Sequence, residues 1–361
     1  MKINNIEEEH FFFNTSFKFL KSDVNTIYFY FDKDKIESFS YMFSNIEKIL
    51  EISFNPKCDY DRIIDMDYML SNTSLKSIKF LNLSFPNLVS MKNMFFNSNY
   101  LQTVYFTNFN APKLDYISNI FSNCTKLQII NFENFNARSL SDVSYMFEEC
   151  ISLISIDLTE FYSDNLEYMN GMFSHCLDLN FVNITSLNTK NVKDMSELFI
   201  HCISLSSIDL SNFDTSNVIN MEEMLFFCES LTSLNLSNFN TRYVTNIRSM
   251  FYSCSLLTSL DISNFNTKNV KDMSYLFGYC ESLTSLNISN FETDFVETMN
   301  RMFYECSNLK FIDISNSVIK VTVNYFYIFE GLPSSGIIIV NENTMLEIKF
   351  LLRDWEIIEK K

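Results

Sequence analysis

The sequence repeats itself every 26 residues. The stretch 231–256, LTSLNLSNFNTRYVTNIRSMFYSCSL, begins again in close copies at Leu257 and Leu283. Steps of 26 residues from Leu231 land on a Leu each time, back to Leu75 and forward to Leu309, so uninterrupted repeats fill residues 75–308. A fixed period of this length predicts a solenoid, in which each repeat forms one coil and buries its apolar face against the neighbouring coils.

Each repeat has apolar residues at the same positions, counted from 0 at the first Leu: 3, 5, 8, 13, 16, 19, 20 and 23. Positions 3 and 5, such as Leu234 and Leu236, have a polar residue between them, which predicts a short strand. Positions 13 to 23 follow one another mostly at intervals of three or four residues, which predicts a short helix with one apolar stripe. The predicted fold class is an α/β repeat solenoid, a right-handed coil with a parallel β-sheet on one face and short helical segments on the other.

The repeats also divide the chain. Residues 1–48 are predicted to form an N-terminal cap that contains a degenerate repeat from about Val24. Residues 49–308 hold ten 26-residue repeats, of which the first is irregular because Met66 and its apolar neighbours lie one place late. Residues 309–361 are predicted to add a last strand and a C-terminal cap. Terminal repeats of solenoids are often atypical, because one side has no neighbouring coil.

Charge limits the classes of partner. The chain carries 27 basic and 44 acidic residues, a formal net charge of −17, with no run of Lys and Arg along any repeat position. Nucleic acid and anionic membranes are therefore improbable partners, since both need clustered cations. No stretch approaches the ~18 apolar residues of a membrane span. The first 20 residues do not have the pattern of a signal peptide, so the protein stays inside the cell, leaves by another route, or lacks an upstream part.

Two stretches resemble a known family. LTSLDISNFNTKNVKDMSYLFGYC at residues 257–280, with its siblings, resembles the repeats of BspA-like leucine-rich repeat surface proteins and related bacterial lipoproteins. The ending GLPSSGIIIV at 331–340, followed by a Trp, is similar to their C-terminal caps. The resemblance spans residues 49–361 and implies a leucine-rich-repeat-like fold, display at the cell surface or secretion, and adhesion to host components. It transfers no catalytic residue, and without a signal peptide a cytoplasmic location stays the alternative.

Eight cysteines share position 23 of successive repeats. They are Cys124, Cys150, Cys176, Cys202, Cys228, Cys254, Cys280 and Cys306. Because position 23 belongs to the apolar stripe, we expect reduced, buried thiols that pack as small hydrophobic groups. One cysteine per coil is neither a CxxC motif nor a pattern that specifies a disulfide pairing.

Position 22 brings together three residue types that can bind metal. Glu149, His175 and His201 follow one another in this column, and two His with one carboxylate form a recognised ligand set. Their neighbours in the column are Asn123 and Phe227, so a solvated surface column is the favoured interpretation. We predict no metal site and no cofactor, and the sequence contains no catalytic triad pattern or glycine-rich phosphate loop. The protein is therefore expected not to be an enzyme.

Position 4 alternates Asn and Asp from residue 131 onward: Asn131, Asp157, Asn183, Asp209, Asn235, Asp261, Asn287 and Asp313. This position is predicted to face solvent, where interposed amides would bridge the carboxylates of neighbouring coils. Calcium would require six to eight converging oxygens, which a single file of carboxylates does not supply.

The outward positions of the predicted sheet are not uniform. In the C-terminal repeats they hold Ser and Thr, whereas the N-terminal half presents Tyr105, Ile129, Ile154 and Phe181, which we call the sheet-face patch. Large apolar side chains on a solvent face have no core role and are enriched at binding hot spots. The leading hypothesis is a non-enzymatic solenoid that binds a protein or glycan through this patch, with adhesion implied by the resemblance. The alternative is an intracellular scaffold or effector that holds other proteins.

Overall fold

The chain forms a parallel β-solenoid of about ten coils. The structure is a computed structural model, and it describes residues 2–4, 26–28, 36–46, 49, 51–317, 323–344, 348, 351–352 and 354–360. Most of the predicted N-terminal cap, including Val24, lies outside the described residues. The division into cap, array and cap stays a prediction.

The strands are short, and most of them pair with the strand of the next coil. They are β1 (Lys2–Asn4), β2 (Thr26–Tyr28), β3 (Ser77–Lys79), β4 (Thr103–Tyr105), β5 (Ile129–Asn131), β6 (Ser155–Asp157), β7 (Phe181–Asn183), β8 (Ser285–Asn287), β9 (Phe311–Asp313), β10 (Ile337–Val340) and β11 (Glu356–Glu359). β1 and β2 pair antiparallel; the parallel sheets have the orders β3-β4-β5, β6-β7 and β8-β9-β10-β11. The predicted strand is thus present in most coils, but residues 207–209, 233–235 and 259–261 at the same position are not strands.

Two further ladders of single parallel bridges run along the solenoid. One joins position 15 of successive coils from Ser90 to Asn324, and the other joins position 9 from Ser84 to Tyr162. The coil turns a corner after positions 4, 9 and 15, and in many coils the side chain there accepts the backbone N–H two residues later. At position 9 this bond forms from Asn188 to Asn266, in the coils beyond the ladder. Ser211 donates to Asp209 at position 4 over 2.9 Å, and the same bond forms at the other two positions. The Asn and Asp of position 4 therefore stabilise the corner of their own coil, where a bridge between coils was predicted.

The predicted helical segments are wrong. Positions 17 to 24 form a succession of tight turns, in which residues at positions 18 and 22 have positive φ, as in Ser249 (54°) and Ser253 (59°). Alternate backbone N–H groups bond differently: Met250 donates to Ile247 within the turn (3.2 Å), while Ser249 donates to Ser274 of the next coil (2.9 Å). A helix would use all of these donors internally, so the turn-rich face exchanges helical bonds for bonds between coils.

The interior is filled by columns of identical side chains. At position 20, Phe95, Phe121, Phe147, Phe173 and Phe199 stack with ring centroids 5.3–5.6 Å apart. A second Phe column occupies position 8. These side chains are almost fully buried, and one core runs through the coils from residue 39 to the C-terminal strands. The apolar positions read from the sequence are therefore the core positions.

From residue 189 onward, a buried threonine at position 10 takes over the ladder of position 9. The Thr241 hydroxyl donates to the carbonyl of Asn266 in the next coil (3.0 Å) and accepts the N–H of the same residue (2.7 Å). Thr189, Thr215 and Thr267 repeat the arrangement. One hydroxyl per coil therefore satisfies two backbone groups of its neighbour.

Candidate binding surfaces

The sheet-face patch lies on the outer side of the parallel strands. The exposed fractions are 48% for Ile129, 54% for Ile154 and 56% for Phe181. Tyr105 is only half-buried, and the Lys79 ammonium lies 5.4 Å from its ring centroid. Three of the four residues predicted from the sequence thus present their side chains to solvent, and the fourth is partly covered by a cation.

The exposed residues lie on three successive coils, although β5 and β6 do not pair with each other. Ile129 pairs with Thr103, and Phe181 pairs with Ser155, so Ile129, Ser155 and Phe181 occupy position 2 of three successive coils. At a strand spacing of about 4.8 Å, Ile129 and Phe181 are roughly 10 Å apart. Ile154 precedes Ser155 in the chain and fills the adjoining position. The three side chains form one apolar area that spans three coils.

The cysteine column has a structural role. All eight thiols are free and buried, and each Sγ donates to the backbone carbonyl of position 20 in the preceding coil; Cys176 lies 3.1 Å from the oxygen of Phe147. Burial raises the pKa of the Cys124 thiol to about 12 and that of Cys228 well above its usual value. These thiols therefore stay protonated and poorly nucleophilic. Cys58, outside the column, is exposed.

The position 22 column is a stack of rings. The His175 and His201 rings lie 4.6 Å apart, and the next ring, Phe227, lies 4.8 Å from His201. Burial, and then the neighbouring His175, lowers the pKa of His201. In the described part of the chain, no three His, Cys, Asp or Glu side chains are grouped to hold a metal ion. The column supports stacking between coils, and Glu149 takes the same left-handed backbone conformation as the two His.

A second surface was missed by the sequence analysis. A groove of about 840 Å³ runs along the side of the solenoid across the coils that start at residues 153 to 283. We call it the lateral groove. Positions 12 and 14 line it, with Glu167, Lys193, Ile219, Tyr243, Lys271 and Phe295 beside the asparagines of position 12. These residues alternate around a buried Val at position 13, and this alternation was the signal that could have identified them as outward-facing.

No helix among the described residues is long and apolar enough to cross a membrane.

Comparison with known proteins identifies the type of repeat. The family model described as "Mycoplasma protein of unknown function, DUF285" matches residues 64–182, 167–260 and 228–336. The resemblance to BspA-like leucine-rich repeat proteins is confirmed. No curated protein matches the chain.

Three solved structures are similar over most of the chain. A leucine-rich repeat protein from Bacteroides ovatus is 16% identical, with 79% of this chain and 92% of that chain covered and a TM-score of 0.23. A leucine rich cell surface protein from Faecalibacterium prausnitzii is 14% identical, with 83% and 84% covered and a TM-score of 0.36. A TLR13-ssRNA13 complex gives 14% identity, 82% and 52% coverage, and a TM-score of 0.29.

Proposed function

This chain belongs to the family described as Mycoplasma protein of unknown function, DUF285, and we propose that it is a non-enzymatic binding solenoid that holds a protein partner on its sheet face. Adhesion is its proposed extracellular role. The observation that carries the proposal is the exposure of Ile129, Ile154 and Phe181 at positions 1 and 2, where the four coils that start at residues 205 to 283 present only Ser and Thr.

The exposed area is large enough to anchor a partner. Each of the three side chains is about half exposed. Full burial of such a side chain contributes about 1.5–3 kcal/mol. A partner that covers the exposed half of all three side chains therefore gains roughly 2–4 kcal/mol of binding free energy. A few anchors of this size account for much of the affinity in protein interfaces. The aliphatic Ile129 and Ile154 suit a protein surface better than a glycan, because they offer no planar face and no hydrogen-bonding group.

Rigidity supports the same function. Bonds between coils hold the segments on both sides of the patch; Gln128, next to Ile129, donates to Gln102 of the preceding coil (2.9 Å), and Asn180, next to Phe181, donates to Ile154 (2.9 Å). The patch therefore does not have to fold on contact, and little conformational entropy is lost when a partner binds.

The test is an affinity pull-down that compares three immobilised proteins. Wild-type protein, the double variant Ile129→Ser/Phe181→Ser and the control Phe326→Ser are immobilised, and proteins bound from the natural surroundings are quantified by mass spectrometry. Phe326 is a suitable control because it is 71% exposed and lies on the turn-rich face. We expect a partner that the wild type and the control retain and that the double variant loses, while all three melt at the same temperature.

The proposal fails if the double variant retains every protein that the wild type binds. It also fails if the control loses the same proteins as the double variant, because binding would then depend on general surface hydrophobicity.

The eight free thiols favour a second candidate, the intracellular scaffold, because reduced cysteines fit a reducing compartment. Protease treatment of intact source cells separates the two roles. Cleavage of the protein at the cell surface supports adhesion, and protection until lysis supports the scaffold.

A further inference from the structure

In the lateral groove, the backbone N–H groups of position 14 are already used within the solenoid. The N–H groups of position 14 donate to the preceding coil throughout: Ile219 to Lys193 (2.8 Å), Thr245 to Ile219 (2.9 Å) and Lys271 to Thr245 (2.9 Å). An extended peptide commonly gains affinity by adding a strand to unpaired backbone groups. Since these N–H groups are already paired, an extended peptide cannot add a strand at position 14, and we consider recognition by the side chains of the groove.

The C-terminal half of the groove combines two rings with an amide and a cation. Tyr243 and Phe295, 48% and 62% exposed, occupy position 12 of alternate coils. At about 4.8 Å per coil they stand roughly 10 Å apart. Asn269 and Lys271 belong to the coil between them. Flat apolar rings beside an amide and an ammonium group are suited to a ligand that has both apolar C–H faces and polar substituents.

Two of these side chains are held in place. The Asn269 Nδ2 donates to the carbonyl of Arg242 in the preceding coil (2.8 Å), which fixes the amide and leaves its Oδ1 as an acceptor. The Arg242 guanidinium lies 5.0 Å from the Tyr243 ring centroid and supports that ring. The rings and amide are therefore positioned before a ligand arrives, which reduces the entropy cost of binding.

The charge of the groove differs from that of the chain. Two lysines and one glutamate line it, giving 2 − 1 = +1, whereas the whole chain has a net charge of −17. Lys193 is paired with Glu167. Among the described residues, Lys271 has no carboxylate within ion-pair distance and is exposed. Lys271 is therefore the cation of the groove lining that has no ion pair with a described residue, although Glu297 of the next coil is its neighbour in the backbone ladder, where the Glu297 N–H donates to the Lys271 carbonyl (2.8 Å).

We propose that the lateral groove binds an acidic glycan. A carboxylated sugar places its carboxylate on the Lys271 ammonium and a hydroxyl on Asn269 Oδ1, while the C–H faces of the neighbouring sugars pack on Tyr243 and Phe295. Because the net charge of −17 repels dense polyanions, the glycan carries isolated carboxylates, as a sialylated chain does. This surface is separate from the sheet-face patch, so either one can fail alone.

The experiment uses the full chain, fluorescently labelled, on an array of sialylated glycans printed beside their desialylated forms. Lys271→Gln is compared with Lys268→Gln, which removes the same charge from the same coil outside the groove lining. Tyr243→Ala is compared with Phe326→Ala. We expect binding to sialylated glycans only, a loss of about tenfold or more for Lys271→Gln and Tyr243→Ala, and changes within about twofold for the two controls.

Equal binding to sialylated and desialylated glycans overturns the proposal, as does binding to neither. It is also overturned if a soluble Glu-rich peptide of equal charge displaces the glycan at the same concentration, because an acidic peptide would then be an equally good occupant. The Ile129→Ser/Phe181→Ser variant is expected to bind the array as the wild type does.

Discussion

The most informative perturbation of the fold is the removal of one buried hydroxyl, Thr241→Val. Valine keeps the shape of threonine, and Thr241 is 1% exposed, so the packing is almost unchanged. The substitution leaves both the N–H and the carbonyl of Asn266 without their partner, since the hydroxyl bonds to both. The matched control is Thr241→Ser, which keeps the hydroxyl and loses one methyl group.

The two variants should differ clearly in stability. An unpaired buried backbone group costs about 1–3 kcal/mol, so two such groups cost roughly 2–6 kcal/mol in Thr241→Val. We expect a value toward the lower end, because Asn266 lies at the surface. The lost methyl group of Thr241→Ser costs about 0.8 kcal/mol. We therefore expect the valine variant to be less stable than the serine variant by at least about 1 kcal/mol.

Urea unfolding followed by far-UV circular dichroism measures the free energies, and hydrogen exchange of the segment 262–270 locates the effect. Each coil contacts only its neighbours, so protection should fall in this segment first. If the valine and serine variants unfold at the same urea concentration, the hydroxyl ladder does not join the coils as described.

Three further predictions concern other parts of the chain. In the folded protein, a thiol reagent should react with only one of the nine cysteines, the exposed Cys58. After denaturation it should react with all nine. Fast labelling of several thiols in the folded protein would contradict the burial of the cysteine column. Burial lowers the pKa of His201, so the unfolded state binds a proton at this residue more readily than the folded state does, and stability is lost as pH falls below about 6.5. Between pH 7 and pH 5, the melting temperature of His201→Phe should therefore fall less than that of the wild type. An equal fall in both proteins would refute this prediction. In Gly336→Ala the new Cβ would lie 2.7 Å from the Lys310 carbonyl oxygen and 2.8 Å from the Trp355 ring. We expect this crowding to destabilise the protein by about 1–3 kcal/mol and to change the fluorescence of Trp355, the single Trp of the chain. An unchanged emission spectrum would argue against the described packing of the C-terminal strands.

Much of the architecture could be predicted because burial repeats with the coil. The 26-residue period gave the solenoid, and the apolar columns gave the core, including the position of the cysteines. The helical segments could not be rejected from spacing, because side chains three and four residues apart share a face both in a helix and in a row of tight turns. What distinguishes the turns is positive φ at positions 18 and 22, and these positions hold residues as different as Asn93, His175 and Phe227. Glycine occupies these positions in only two coils, at Gly171 and Gly331, so the sequence gives no regular signal of the left-handed conformation.

Of the two candidate surfaces, the sheet-face patch was predicted from the sequence and the lateral groove was not. The exposure of Ile129 and Phe181 followed from the alternation of strand positions, whereas Ile154 lies one residue before its strand and is exposed outside that alternation. Tyr105 is partly covered because Lys79 of the preceding coil reaches its ring. The role of the patch in binding stays a prediction. The lateral groove was missed because positions 13 to 23 were predicted to form a helix, which separated position 14 from position 12. The bridge ladder of position 15, which directly follows them, places these positions side by side over several coils.

The most direct test of the proposed function is site-specific cross-linking from the sheet face. A photoreactive phenylalanine analogue is introduced in place of Phe181 or, as a matched control, of Ser259, which occupies the same position three coils further on. After irradiation in the natural surroundings, the account predicts a defined protein adduct from position 181 and little or none from position 259. Equal adducts from both positions, or none from position 181, would contradict it.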